Sequence, residues 1–170
     1  MDAVVRMGEA AASGTTGHTL SCIGLGSCIG LAFYDRRSGV AALAHVMLPE
    51  APSADAPSAG KYADLAVPAL VDLAVAHGAV RPRLEAVLVG GAAMFALNGT
   101  QDIGSRNAAA VTEILALLRI PVRAQDTGGT KGRTIKIDVS PEMTTMVREA
   151  GRDDVLLFGD AAKSGAPAAA

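Results

Sequence analysis

Tryptophan is missing from this chain, and only three phenylalanines and two tyrosines stand among its 170 residues. A core built around large rings is thereby excluded. Hydrophobic residues still make up 50% of the chain, and a core of Ala, Val, Leu and Ile packs well because interiors depend on density rather than ring content. Charge of one sign is lacking as well: the formal net charge is -2, and acids and bases are scattered rather than run together. That removes the basic footprint of a protein that binds nucleic acid or an anionic membrane. Long apolar runs are also absent. The best window, "ADLAVPALVDLAVAHGAV", is broken by Asp64, Pro68, Asp72 and His77, so no membrane insertion is expected. The start, "MDAVVRMGEA", has an early acid and no basic leader segment. The expected location is therefore the cytoplasm.

Cysteine is scarce, with two in the chain, and both fall in "LSCIGLGSCIGLAFYD". In a reducing compartment they read as free thiols rather than a structural disulfide. The length suits one domain with one core, expected over residues 1–159. The low-complexity ending "AAKSGAPAAA" reads as a disordered tail within 160–170.

Turn signals divide the rest. "HTLSCIGLG", "CIGLAFYD" and "VAALAHVMLP" read as three strands joined by glycine turns and by "DRRSG", an arrangement that predicts an antiparallel meander. "PEAPSADAPSAG" reads as a mobile loop. A helix is expected across "KYADLAVPALVDLAVAHG", with Leu65, Leu70, Leu73 and Val75 on its buried face and Gly78 as its stop. "RLEAVLVGG" reads as a buried strand. "IGSRNAAAVTEILALLRI" is the clearest helix, with Ser105 as cap and Val111, Ile114, Leu115 and Leu118 facing inward. Strands follow in "PVRAQDT", "RTIKIDVS" and "MTTMVRE". Meander and separated helices together predict an α+β fold, a mixed or antiparallel β-sandwich with helices packed outside.

Motifs for small ligands do not close. "GLGSCIG" misses the dinucleotide fingerprint because Ile29 stands where the third glycine belongs, and "GGTKGRT" lacks phosphate-loop spacing. Cys22, Cys28 and a histidine fall short of a metal-ligand pattern, with no C-x-x-C and no fourth ligand. No metal and no cofactor are expected.

Nucleophilic catalysis needs a cysteine, a histidine in reach and a group to orient the imidazole. Cys28 has the right setting. It follows Gly26 and Ser27 at the start of a strand, where backbone N–H groups of the turn can meet a developing oxyanion. Cys22 lies inside the preceding strand and reads as a buried thiol. An unbroken strand would put both cysteines on one face. Of the three histidines, His18 reads as a solvated loop residue and His77 as a helix-end residue favoured by the dipole. His45, in "ALAHVMLP", lies near the Cys28 strand. It is either the base of a Cys28/His45 pair or a satisfied core histidine. Arg106 and Asn107 open a helix, where polar residues are usually structural.

The ordered set "GLGSCIGLAFYD", "HVMLP", "KYAD", "RLEAVLVGGAAMF", "IGSRN" and "DTGGTKGRTIKID" resembles the chemoreceptor glutamine deamidase (CheD) family of bacterial chemotaxis, from about Val4 to Val147. The resemblance implies an α+β sandwich similar to toxin-type cysteine deamidases. It implies hydrolysis of glutamine side chains in methyl-accepting chemotaxis receptors. By the same resemblance Cys28 is the nucleophile and His45 its histidine; the chemistry of the turn itself sets the expected oxyanion site at Gly26 and Ser27. The family often carries a threonine six positions before the nucleophile as third catalytic group; here that position is Cys22. A backbone carbonyl is one substitute for it. The resemblance also implies the CheC phosphatase as a partner. The alternative it leaves open is a weakly catalytic or non-catalytic binding module that regulates that phosphatase.

Overall fold

The computed structural model describes residues 1–94 and 102–160. Phe95 of "GGAAMF" and the tail 161–170 lie outside the described residues. Ten strands and two α-helices are present among them: β1 (Asp2–Val4), β2 (Ala10–Ser13), β3 (Thr19–Leu25), β4 (Ile29–Asp35), β5 (Val40–Val46), α1 (Ala63–Ala76), β6 (Glu85–Gly90), α2 (Ile103–Leu117), β7 (Val122–Thr127), β8 (Arg133–Asp138), β9 (Thr145–Glu149) and β10 (Val155–Phe158). The strands form two five-stranded sheets, one ordered β1-β3-β8-β9-β10 and the other β2-β5-β4-β6-β7. Pairing is mixed: β1 with β3 and β6 with β7 are parallel, and the other pairs are antiparallel. The class is therefore α+β, with two sheets and two helices.

Burial separates three layers. Leu20, Cys22, Leu25, Tyr34, Leu43, Val89, Ile135 and Ile137 pack between the sheets. Ile29, Leu31, Phe33, Leu88, Val67, Leu70, Val111 and Leu115 pack between the second sheet and both helices. Every residue of β4 and β5 is buried, because that sheet is covered on both faces, and such strands read as continuous apolar runs. β8 alternates buried and less buried residues, as a sheet with one uncovered face requires. Among the described residues, no helix is long and apolar enough to cross a membrane.

The expected meander is only partly formed. β4 and β5 pair as a hairpin, but β3 belongs to the other sheet and pairs with β8. The chain changes sheet at Gly26–Cys28. Gly30 makes that crossing possible by letting the sheets close together. A Cβ there would lie 2.9 Å from Leu25 Cδ1 and 3.2 Å from Ile135 Cγ2, both on the facing sheet.

Both helices form where the periodicity puts them, with two corrections. The buried face of α1 is Ala63, Ala66, Val67, Leu70, Val71 and Ala74; Leu65 and Leu73 are only half-buried and Val75 is exposed. Alanines permit close approach to the sheet, so Ala63, Ala66 and Ala74 share the contact face with Val67, Leu70 and Val71. The cap of α2 is Asp102, which accepts from Ser105 N and Ser105 Oγ, each at 2.9 Å. Ser105 sits inside the first turn and donates to the cap.

Candidate active site

The sheet-crossing corner is held by its carbonyl groups. Gly26 O accepts from Ala92 N and Cys28 O from Gly91 N, both at 2.9 Å. Ser27 O accepts from Asn107 Nδ2 at 2.9 Å. With the three carbonyls turned inward, the N–H groups of Ser27 and Cys28 meet no acceptor among the described residues. Gly90 makes the approach possible. Its φ is +114°, and a Cβ there would lie 2.2 Å from Cys28 O, so only glycine lets β6 sit against the corner. The side chain of Met94 lies over Gly26.

Cys28 is a free, half-buried thiol packed at the edge of the inter-sheet core. Burial raises its pKa above the ordinary 9.0. His45 pairs with Gly30 across the β4–β5 ladder. Cys28 immediately precedes β4 and packs against the inter-sheet core, the side to which residue 45, opposite Gly30, also turns.

His45 is 4% exposed. Its Nδ1 lies 3.1 Å from Val5 O. A carbonyl can only accept, so the Nδ1 proton is donated to Val5 and Nε2 is the free base of the neutral ring. Nε2 has no hydrogen-bond partner among the described residues, so no bond joins it to the Cys28 thiol. Burial lowers the His45 pKa below 6.5, opposed by the Val5 carbonyl and the charge of Glu9. Burial thus favours the neutral form of both the thiol and the imidazole.

Cys22 is fully buried. Its pKa is driven far up by burial and further by the neighbouring Cys28 thiol. The two cysteines do face one core, although β3 ends before Cys28 and its ladder shifts register between Cys22 and Leu25. The side chain of His45 is bonded to Val5 and not to Cys22. His18 is not simply solvated: its Nδ1 lies 2.8 Å from Ser13 Oγ at a half-buried position. His77 is exposed at the end of α1, with Nδ1 bonded to Leu73 O. Among the described residues, no three His, Cys, Asp or Glu side chains converge as metal ligands do.

Asn107 does more than the helix-start polarity expected from the sequence. It is fully buried, and its Nδ2 donates to Ser27 O at 2.9 Å and Met47 O at 2.8 Å. The available signal was its place on the buried stripe of α2, Gly104–Asn107–Val111–Leu115. Just past Met47, a cleft of about 410 Å³ opens between Leu48, Pro49, Tyr62, Ile103 and Arg106. A second cleft, about 430 Å³, is lined by Asp35, Arg36, Arg83, Glu85 and Arg123 at the far end of β4 from Cys28.

The chain is similar to known proteins over most of its length. A family model described as CheD chemotactic sensory transduction matches residues 47–148. That match begins two residues after His45. A probable chemoreceptor glutamine deamidase CheD of Clostridium kluyveri is 43% identical over 127 residues, covering 72% of this chain and 78% of that protein. The chemoreceptor glutamine deamidase CheD of Bacillus subtilis is 42% identical over 125 residues, covering 71% and 75%. A probable chemoreceptor glutamine deamidase CheD of Haloarcula marismortui is 41% identical over 140 residues, covering 81% and 80%.

Proposed function

The chain belongs to the CheD family, and on that premise we propose that it hydrolyses glutamine side chains of methyl-accepting chemotaxis receptors to glutamate. Cys28 is the nucleophile and His45 the base. The supporting observation is that His45 pairs with Gly30, two residues beyond Cys28, and that its Nε2 is unpartnered among the described residues.

The reaction runs in two halves. His45 Nε2 takes the Cys28 proton as sulfur attacks the amide carbon. The oxyanion that forms accepts from the N–H groups of Ser27 and Cys28, with Gly26 giving the turn its shape. The imidazolium returns its proton to the departing ammonia, leaving a thioester. Water, deprotonated by His45, attacks the thioester carbon; the Cys28 sulfur leaves and is reprotonated. Amide and water have become carboxylic acid and ammonia. Because burial favours the neutral form of both groups, proton transfer accompanies attack rather than preceding it. The third role, orientation of the imidazole, falls to the Val5 carbonyl, so a thiol at Cys22 does not disable the site. We read the scaffold as the toxin-type cysteine deamidase kind, working in the cytoplasm, with residues 1–159 as the functional unit.

A second reading is a binding module for a CheC-type phosphatase with weak catalysis. The missing bond between Cys28 and His45 favours it. Cys28→Ala separates the two: loss of deamidation with phosphatase binding intact assigns both activities to the chain, whereas unchanged deamidation excludes Cys28 as nucleophile.

A further inference from the structure

We propose that Asn107 is a positioning residue of the active site, one amide that locks the Cys28 corner to the outgoing end of the His45 strand; this rests on the catalytic reading of Cys28 and His45. The bonds are specific in place. Ser27 immediately precedes Cys28, and Met47 follows His45 by two residues. Both of their carbonyl oxygens accept a hydrogen bond from the same Nδ2, at 2.9 and 2.8 Å. The amide orientation is fixed by chemistry, since two carbonyl oxygens can face only the NH₂ end. The two N–H vectors diverge at a set angle, so the segments are held at a set separation.

The base of this clamp is rigid. Gly104, one turn earlier on the same stripe, lies so close to the Gly91–Ala92 turn that a Cβ there would overlap Ala92 O and Gly91 O. That turn in turn donates to Gly26 O and Cys28 O. The first turns of α2 therefore grip the corner from two sides, through Gly104 below and Asn107 alongside.

The remaining atom argues against a packing role. Asn107 Oδ1 is buried without a partner among the described residues. An amide with half its capacity unmet is a poor choice for stability alone, where an apolar side chain of similar size does better. What the amide adds is geometry, and a nucleophile and base that meet only during reaction depend on geometry.

The test is Asn107→Leu, similar in size and without donors. Receptor-fragment deamidation is followed as kcat and KM, and Cys28 alkylation by iodoacetamide is followed as a function of pH. The expected result is a kcat lower by about 100-fold with KM changed less than about threefold, and an alkylation profile that coincides with that of His45→Ala. A folded Asn107→Leu protein whose alkylation profile matches wild type overturns the proposal. If the variant does not fold, the wild type decides. The Asn107 side-chain amide signals in ¹⁵N NMR should shift when Cys28 is alkylated, and signals that stay unmoved overturn the proposal. Alkylation needs no deamidation. A wild type that leaves receptor fragments unchanged therefore sinks the functional reading alone, and the profiles still decide the role of Asn107.

Discussion

Substituting Gly90 with alanine should damage activity far more than it damages the fold. Gly90 has φ +114°, and the new Cβ would lie 2.2 Å from Cys28 O and 3.3 Å from Cys28 C. A non-glycine residue forced into such a conformation costs about 1–3 kcal/mol. The clash pushes Cys28 away from Gly91, whose N–H bonds its carbonyl at 2.9 Å, and losing that bond costs about 1 kcal/mol. The total is about 2–4 kcal/mol, set against about 5–15 kcal/mol for a typical native state. The protein should still fold, with a melting temperature lower by about 4–16 °C for a chain of this size. Relief of the overlap needs movement on the order of 1 Å at the nucleophile, which lowers kcat by about 100-fold. Gly151→Ala is the control. Its φ is +81°, and a Cβ there meets nothing within 4 Å, so it should lose about 1–2 kcal/mol and keep its activity. Melting curves and receptor-fragment deamidation at a temperature where all three proteins are folded make the comparison. A Gly90→Ala protein with wild-type kcat, or a Gly151→Ala protein equally inactive, refutes the reasoning.

Further expectations follow from the same contacts. Titration with a disulfide reagent should count one reactive thiol in the native state and two in denaturant, because Cys22 is buried and Cys28 half-buried; two thiols reacting equally fast in native protein would contradict this. Catalysis should rise with pH through the lowered pKa of His45, be level through neutrality, and change again only above pH 9.0 as Cys28 ionises; a profile that peaks in acid and falls before neutrality would contradict a neutral His45 base. In stability, His45 is a group whose folded pKa lies below its unfolded value. The unfolded chain binds the proton first, so the contribution of His45 is complete above pH 6.5 and is lost as pH falls through 6.5 toward the folded value; urea midpoints across that window test the sign. Asp35 is 1% exposed and accepts from the N–H groups of Arg37, Ser38 and Val80 and from the Arg83 guanidinium. Asp35→Ala should destabilise by about 2–4 kcal/mol in calorimetry while the folded fraction keeps its kcat, since Asp35 and Cys28 lie at opposite ends of β4.

Much of this was legible because it is local. "DRRSG" between two apolar runs fixes the β4–β5 hairpin. Once that hairpin forms, His45 stands opposite Gly30, two residues beyond Cys28. The contrast between "GLAFY", buried throughout, and "RTIKID", alternating, is the contrast between a sheet covered on both faces and one covered on a single face. What was not legible depends on distant backbone. β3 was joined to its neighbour in sequence, but it pairs with β8, and no local signal names that partner. β1, β2 and β10 are strands of three or four residues at sheet edges, too short to carry a periodic pattern. Of the four positions expected on the buried face of α1 only Leu70 is fully buried; alanines and valines complete that face, and alanine is a weak signal of burial. Ser105 looked like a cap because Asp102 and Ser105 are both good cap residues; the backbone chose the earlier one. The carbonyl of Val5 orients His45, and the carbonyls of Ser27 and Met47 engage Asn107. Carbonyl groups belong to every residue, so no sequence pattern marks them.

The central claim is tested most directly by intact mass of a receptor cytoplasmic fragment incubated with the wild type, Cys28→Ala and His45→Ala. Each glutamine converted adds about one dalton, as NH₂ becomes OH. The account predicts a shift with the wild type that both variants abolish, with peptide mapping placing the change at glutamine side chains. A shift that persists in Cys28→Ala, or no shift from a folded wild type, would contradict it.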